Sequence, residues 1–175
     1  MSEVFRGEIS QRVDAKARVL IPVSFRRVLE AGDPGWSPGT RPKLVMVYGD
    51  PRRNFVECFT VAEMRRLESR IMRLPLGDAK RRILQRNYIT LSLVTEVDED
   101  GRIVLPTRVR EKLALGQGDI GPATELTFAG VLDTFHLWKS TTYDAEIRPK
   151  DEADLAGLPE DMDLLSLLGA APTEG

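Results

Sequence analysis

The chain of 175 residues is 42% hydrophobic and 30% charged, enough apolar material for a core in one ordinary domain or two small units. No apolar run approaches the roughly 20 residues that span a bilayer, and the opening segment, with Glu3 and Arg6, lacks a signal peptide's apolar stretch, so a cytoplasmic protein without membrane contact is expected. One cysteine, Cys58, and one histidine, His136, exclude an internal disulfide and the spacing of a zinc site, so neither metal nor other cofactor is expected.

The net charge of −2 hides a polarity along the chain. Residues 1–113 carry 22 Lys+Arg against 15 Asp+Glu, and residues 114–175 carry 3 against 12. A basic majority with an acidic end can bind a polyanion. Arg-rich helices that are merely solvated account for the count equally well.

In chain order, Val4 to Val13 alternates toward a half-buried strand, Asp14 to Arg18 is a tight polar connection, and Val19 to Ile21 resumes extended structure. Pro22 opens a helix over Ser24 to Ala31, with Phe25, Val28 and Leu29 on one face, and Gly32 stops it. Residues 32–42 are rich in Gly and Pro and form a surface loop without the Lys-Ser/Thr ending of a phosphate loop. Two strands follow, Leu44 to Tyr48 and Phe55 to Phe59, and then a helix capped by Thr60 and Glu63. Its apolar stripe of Val61, Met64, Leu67, Ile71 and Leu74 is expected to form core or an oligomer seam. Asp78 caps a shorter basic helix that runs to about Tyr88.

From Ile89 the order repeats. A strand to Val97, a connection over Asp98 to Arg102, a strand to Leu105, a helix over Thr107 to Leu115, a hairpin of Thr124 to Phe128 with Thr134 to Trp138, and a closing helix over Ser140 to Ile147 are expected. The repeat is written in residues. Asp14-x-x-x-Arg18, an apolar triplet and Pro22 recur as Asp98-x-x-x-Arg102, an apolar triplet and Pro106, at a constant offset of 84. Residues 3–76 and 89–148 read as two repeats, joined by a linking helix over 77–88 and followed by an acidic, mostly disordered tail over 149–175 with a short amphipathic stretch at Leu164 to Leu168. Neither repeat encloses a good core alone, so the two are expected to close into one pseudo-twofold barrel that projects the turns as a matched pair.

An arginine at the end of a short strand presents a planar fork suited to guanine O6/N7 or to phosphate. The aspartate four residues earlier either accepts backbone N–H bonds in the turn or orients the arginine. Lys16 adds a phosphate-seeking charge. Paired readers match the symmetry of a duplex with repeated half-sites. The plain alternative is a pair of turn-stabilising ion pairs worth little on a surface.

These features, with the opening Phe5-Arg6-Gly7-Glu8 and the two hairpin-plus-helix segments, resemble the MraZ family of bacterial proteins, built from two tandem SpoVT-AbrB domains. The likeness covers about residues 4–148. It implies an α+β, mainly β fold: a swapped-hairpin β-barrel formed by two internal repeats and flanked by short helices. It further implies binding of double-stranded DNA through the Asp-x-x-x-Arg turns and regulation, usually repression, of the division and cell-wall gene cluster. Self-association into ring-like homo-oligomers on promoter repeats, with a nucleoid location, belongs to the same expectation. Carried over residue by residue, the DNA-reading arginines are Arg18 and Arg102, and Asp14 and Asp98 complete the motifs. The family commonly has Gly before the motif arginine. Gly101 keeps it and Ala17 does not, so a position needing positive φ would be strained at Ala17.

Two further classes stand beside a DNA-binding regulator. One is a nucleoid-type architectural or AbrB-like antidote protein whose acidic tail binds a partner. The other is an enzyme with a small-molecule substrate, which is not expected, because Cys58 and His136 lie in strand-like segments and no paired carboxylates sit in an apolar setting.

Overall fold

The structure is a computed structural model that describes residues 3–169. Its strands are β1 (Glu8–Arg12), β2 (Arg18–Leu20), β3 (Lys43–Val47), β4 (Val56–Phe59), β5 (Ser92–Glu96), β6 (Arg102–Val104), β7 (Glu125–Gly130) and β8 (Thr134–Lys139). Its α-helices are α1 (Val23–Ala31), α2 (Val61–Met72), α3 (Ala79–Leu84), α4 (Thr107–Lys112) and α5 (Ser140–Ala156). One compact unit ends at Thr142 and a second begins at Tyr143. No described helix is long and apolar enough to cross a membrane.

Six strands form an antiparallel sheet in the order β1-β7-β8-β4-β3-β5, and β2 and β6 form a separate ribbon. The order exchanges the repeats. The first strand of the first copy pairs with the hairpin of the second through β1 and β7, and the first strand of the second copy pairs with the hairpin of the first through β5 and β3. Val19 pairs with Ile103 in the ribbon, and Glu57 with His136 in the sheet. Each partner holds the same place in its own copy, so the two pairs mark a pseudo-twofold axis. The fold is thus α+β, mainly β, with exchanged hairpins.

Strand alternation decides what is buried. Leu44, Met46, Val56, Cys58, Leu126, Phe128, Phe135 and Leu137 face the main core with Val19 and Ile103 from the ribbon. Phe5, Phe25, Phe128 and Phe135 meet edge-on or tilted, with ring centroids 4.9 Å apart for Phe5–Phe135 and 5.1 Å for Phe25–Phe135. The opposite face of β3 and β4 presents Val45, Val47 and Phe59, which α2 covers with Met64 and half-buried Leu67. Of the stripe on α2, Met64 and Ile71 are buried, and Val61, Leu67 and Leu74 are half-buried. Its start is capped as its sequence requires, with the Glu63 N–H donated to Thr60 Oγ1 at 3.1 Å.

Two expectations are corrected. The linking helix does not give way to a strand at Ile89. It widens into a π-helical turn over Gln85–Thr90, closed by the Leu91 N–H to the Arg86 carbonyl at 3.0 Å, and β5 begins at Ser92. Gly49 makes room for that turn, because a Cβ there would lie 2.2 Å from the Asn87 carbonyl oxygen. The closing helix does not stop at Ile147 either. α5 continues through Pro149 to Ala156, although the proline removes one N–H bond and crowds the carbonyl four residues earlier, at a cost of roughly 3 kcal/mol, and the following residues up to Ala156 include good helix formers. Leu164–Leu168 forms a 3₁₀ turn capped by Asp163, with Leu164, Leu165, Leu167 and Leu168 exposed. Residues 170–175 of the expected tail lie outside the described residues.

Candidate nucleic-acid interface

The two Asp-x-x-x-Arg segments fold into the same turn. The Asp14 N–H bonds the Arg18 carbonyl at 2.9 Å and the Ala17 N–H bonds the Asp14 carbonyl at 3.1 Å, and the second copy repeats both bonds at 2.9 and 3.0 Å. Asp14 Oδ1 accepts the N–H groups of Lys16 and Arg18 at 2.9 and 2.8 Å. Asp98 Oδ1 accepts those of Asp100 and Arg102, each at 2.9 Å. Each aspartate thus satisfies donors that the tight turn leaves over. These bonds, led by that from the Arg18 N–H, hold the Asp14 carboxyl below its ordinary pKa.

The residue before each arginine lies in the left-handed region, Ala17 at φ 58° and Gly101 at φ 81°. Ala17 bears the strain that Gly101 avoids. Gly101→Ala is expected to cost about 1–2 kcal/mol, whereas Ala17→Gly is expected to cost nothing or to stabilise slightly. Thermal melts of the two variants check this.

From each turn the chain enters the ribbon. Val19 and Ile103 point into the core, so Arg18, Leu20, Arg102 and Val104 lie on the outward face. Arg18 is opposite Val104, two residues from Arg102, which makes the arginines diagonal neighbours roughly 7–8 Å apart at their Cα atoms. Both line one open groove of about 640 Å³ together with Arg41, Lys43, Val94, Thr95, Glu96, Asp98, Glu99 and Val104. Lys16 is exposed on the first turn and is not among the groove's lining residues. The structure therefore brings Arg18, Arg102 and Asp98 together, with Asp14 behind Arg18.

The two arginines are not held alike. Arg18 Nε donates to Asp14 Oδ2 at 2.8 Å, which tethers the guanidinium at that nitrogen. Among the described residues the Arg102 guanidinium has no hydrogen-bond or ion-pair partner. Arg41 and Lys43 escaped the sequence reading, because they belong to a loop and a strand start with no periodic signal. The pairing of β3 with β5, which sets Lys43 opposite Glu96, brings them to the second turn.

Cys58 and His136 lie outside this groove. Cys58 is fully buried, which pushes its thiol pKa up. His136 lies on the opposite face of the sheet, stacked on Phe55 at 4.0 Å with its Nε2 3.2 Å from Glu57 Oε2. Cys58 and His136 thus form no pair. No three metal-ligating side chains cluster among the described residues.

Exchanged hairpins around a pseudo-twofold axis, with twin turns on one face, define a tandem-repeat protein of the AbrB-like fold class. A family model described as "MraZ protein, putative antitoxin-like" matches residues 94–165. The chain is 55% identical to a protein of Cereibacter sphaeroides named Transcriptional regulator MraZ over 168 residues, 96% of this chain and 97% of the relative. Proteins of the same name from Ruegeria pomeroyi and Syntrophobacter fumaroxidans are 46% identical over 98% of both chains and 28% identical over 82% of this chain and 85% of the relative. The chain belongs to the MraZ family.

Proposed function

We propose that this chain is a DNA-binding transcriptional regulator that reads short promoter repeats through Arg18 and Arg102. The observation that carries the reading is their placement on one outward face, in one groove, at the ends of two identical turns. Arginine forks at that spacing suit base edges in a major groove, while Lys16 and Lys43 suit the flanking phosphates. Relatives named Transcriptional regulator MraZ support the same role. The reading extends to repression of the division and cell-wall gene cluster that includes its own operon, and to assembly as a ring-like homo-oligomer in the nucleoid. It treats residues 3–76 and 89–148 as the two repeats, 77–88 as their link and 149–175 as an appended acidic segment. It assigns no catalysis.

The test is an anisotropy titration of the full chain against duplex from the upstream region of its own operon and against scrambled duplex, over a salt series. The reading expects tighter binding to the upstream duplex at every salt concentration. Equal affinity for both would favour an architectural or antidote protein, a reading supported by the exposed leucines and acidic residues of the second unit.

A further inference from the structure

The two turns share a backbone but not a charge. Residues 14–18 hold Asp14, Lys16 and Arg18, a net +1, whereas residues 98–102 hold Asp98, Glu99, Asp100 and Arg102, a net −2. A polyanion approaching this face meets one turn that attracts it and one that repels it.

The repelling turn has a clamp. Arg41 Nε and Nη2 donate to Glu99 Oε1 at 2.9 and 2.7 Å, and Nη2 also reaches Oε2 at 2.8 Å. The pair spans 58 residues of sequence. The loop carrying Arg41 is seated beside the turn by the Val97 N–H, which bonds the Pro42 carbonyl at 2.9 Å. The first turn has the same seat, where the Val13 N–H bonds the Thr124 carbonyl at 3.0 Å. Thr124 thus corresponds to Pro42, and the place of Arg41 falls to Ala123. The place of Glu99 falls to Ala15. Where the turn carries Glu99 an arginine faces it, and where it carries Ala15 the arginine is missing too.

Fold stability gives little reason for the pair. Its side chains are 48% and 74% exposed, where water screens an ion pair and leaves it little stabilising effect. Both residues line the groove with Arg18 and Arg102. We propose that Arg41 is a positioning residue of the second turn, which clamps the Glu99 carboxylate and cancels its charge on the face that meets DNA. With Arg41, Lys43 and the Glu96 opposite Lys43 counted, the surroundings of the second turn rise from −2 to −1. The inference rests on the DNA reading above.

The test compares the full chain with Arg41→Met, Glu99→Gln and the double variant, titrating each against the upstream duplex over a salt series. Arg41→Met is expected to weaken binding roughly tenfold at low salt, less as salt rises. Glu99→Gln is expected to bind as tightly as the unsubstituted chain or more tightly. The double variant is expected to recover to within about threefold of it, because the charge that Arg41 answers is gone. All four proteins should melt together. A double variant as weak as Arg41→Met would overturn the inference and make Arg41 a direct phosphate contact. An Arg41→Met variant with unchanged affinity, or one whose only defect is a lower melting temperature, would overturn it too. Failure of the unsubstituted chain to prefer the upstream duplex would overturn the DNA reading, and the inference with it.

Discussion

The double substitution Arg18→Ala/Arg102→Ala is expected to lower affinity for the upstream duplex by about 30-fold to 10⁴-fold, since each bidentate arginine–base contact carries roughly 1–3 kcal/mol. Folding should hardly change. Arg102 has no partner to lose among the described residues, and the Arg18–Asp14 pair is one-third exposed, in the range where such pairs contribute at most about 1 kcal/mol. Of the single variants, Arg18→Ala should be the more damaging for binding. It removes a fork already held in place at Nε and leaves Asp14 Oδ2 without its cation beside the approaching phosphates. Anisotropy titration and thermal melting, run on the same preparations, separate lost reading from lost structure.

The largest expected loss of stability comes from Phe135→Ala. Phe135 is fully buried and touches Phe5, Phe25 and Phe128. Emptying that site should cost about 3–5 kcal/mol, a large share of the roughly 5–15 kcal/mol that holds a typical protein folded. The melting temperature should fall by roughly 10–20 °C for a unit of this size. Phe5 and Phe25 come from the first repeat and Phe128 and Phe135 from the second, so the quartet joins the copies into one core. The variant should therefore melt in a single lowered transition by circular dichroism. Two separated transitions would show that the repeats hold together independently.

What could be read from the chain follows the range of each interaction. The twin turns were legible because their bonds close within five residues, and Asp14 and Asp98 declare them. The cap of α2 was legible for the same reason. The strain at Ala17 followed from its place before the motif arginine, where the second copy has Gly101. The pairing of β1 with β7 and of β5 with β3 connects residues 45 or more positions apart and leaves no local mark. That distance also hid Arg41 and Lys43, whose role depends on which turn the loop reaches. The end of α5 differs in the opposite direction, because the helix runs past Ile147 and through Pro149. A strong local helix breaker was overridden by the helix on either side of it.

Guanine N7 methylation interference on the upstream duplex tests most directly whether the arginines of the twin turns read base edges. For the unsubstituted chain, methyl groups on guanines within the repeats should block binding, because N7 is then closed to a guanidinium fork. Arg18→Ala and Arg102→Ala should each erase a different subset of those positions. Binding indifferent to methylation, or one pattern shared by all three proteins, would contradict the account.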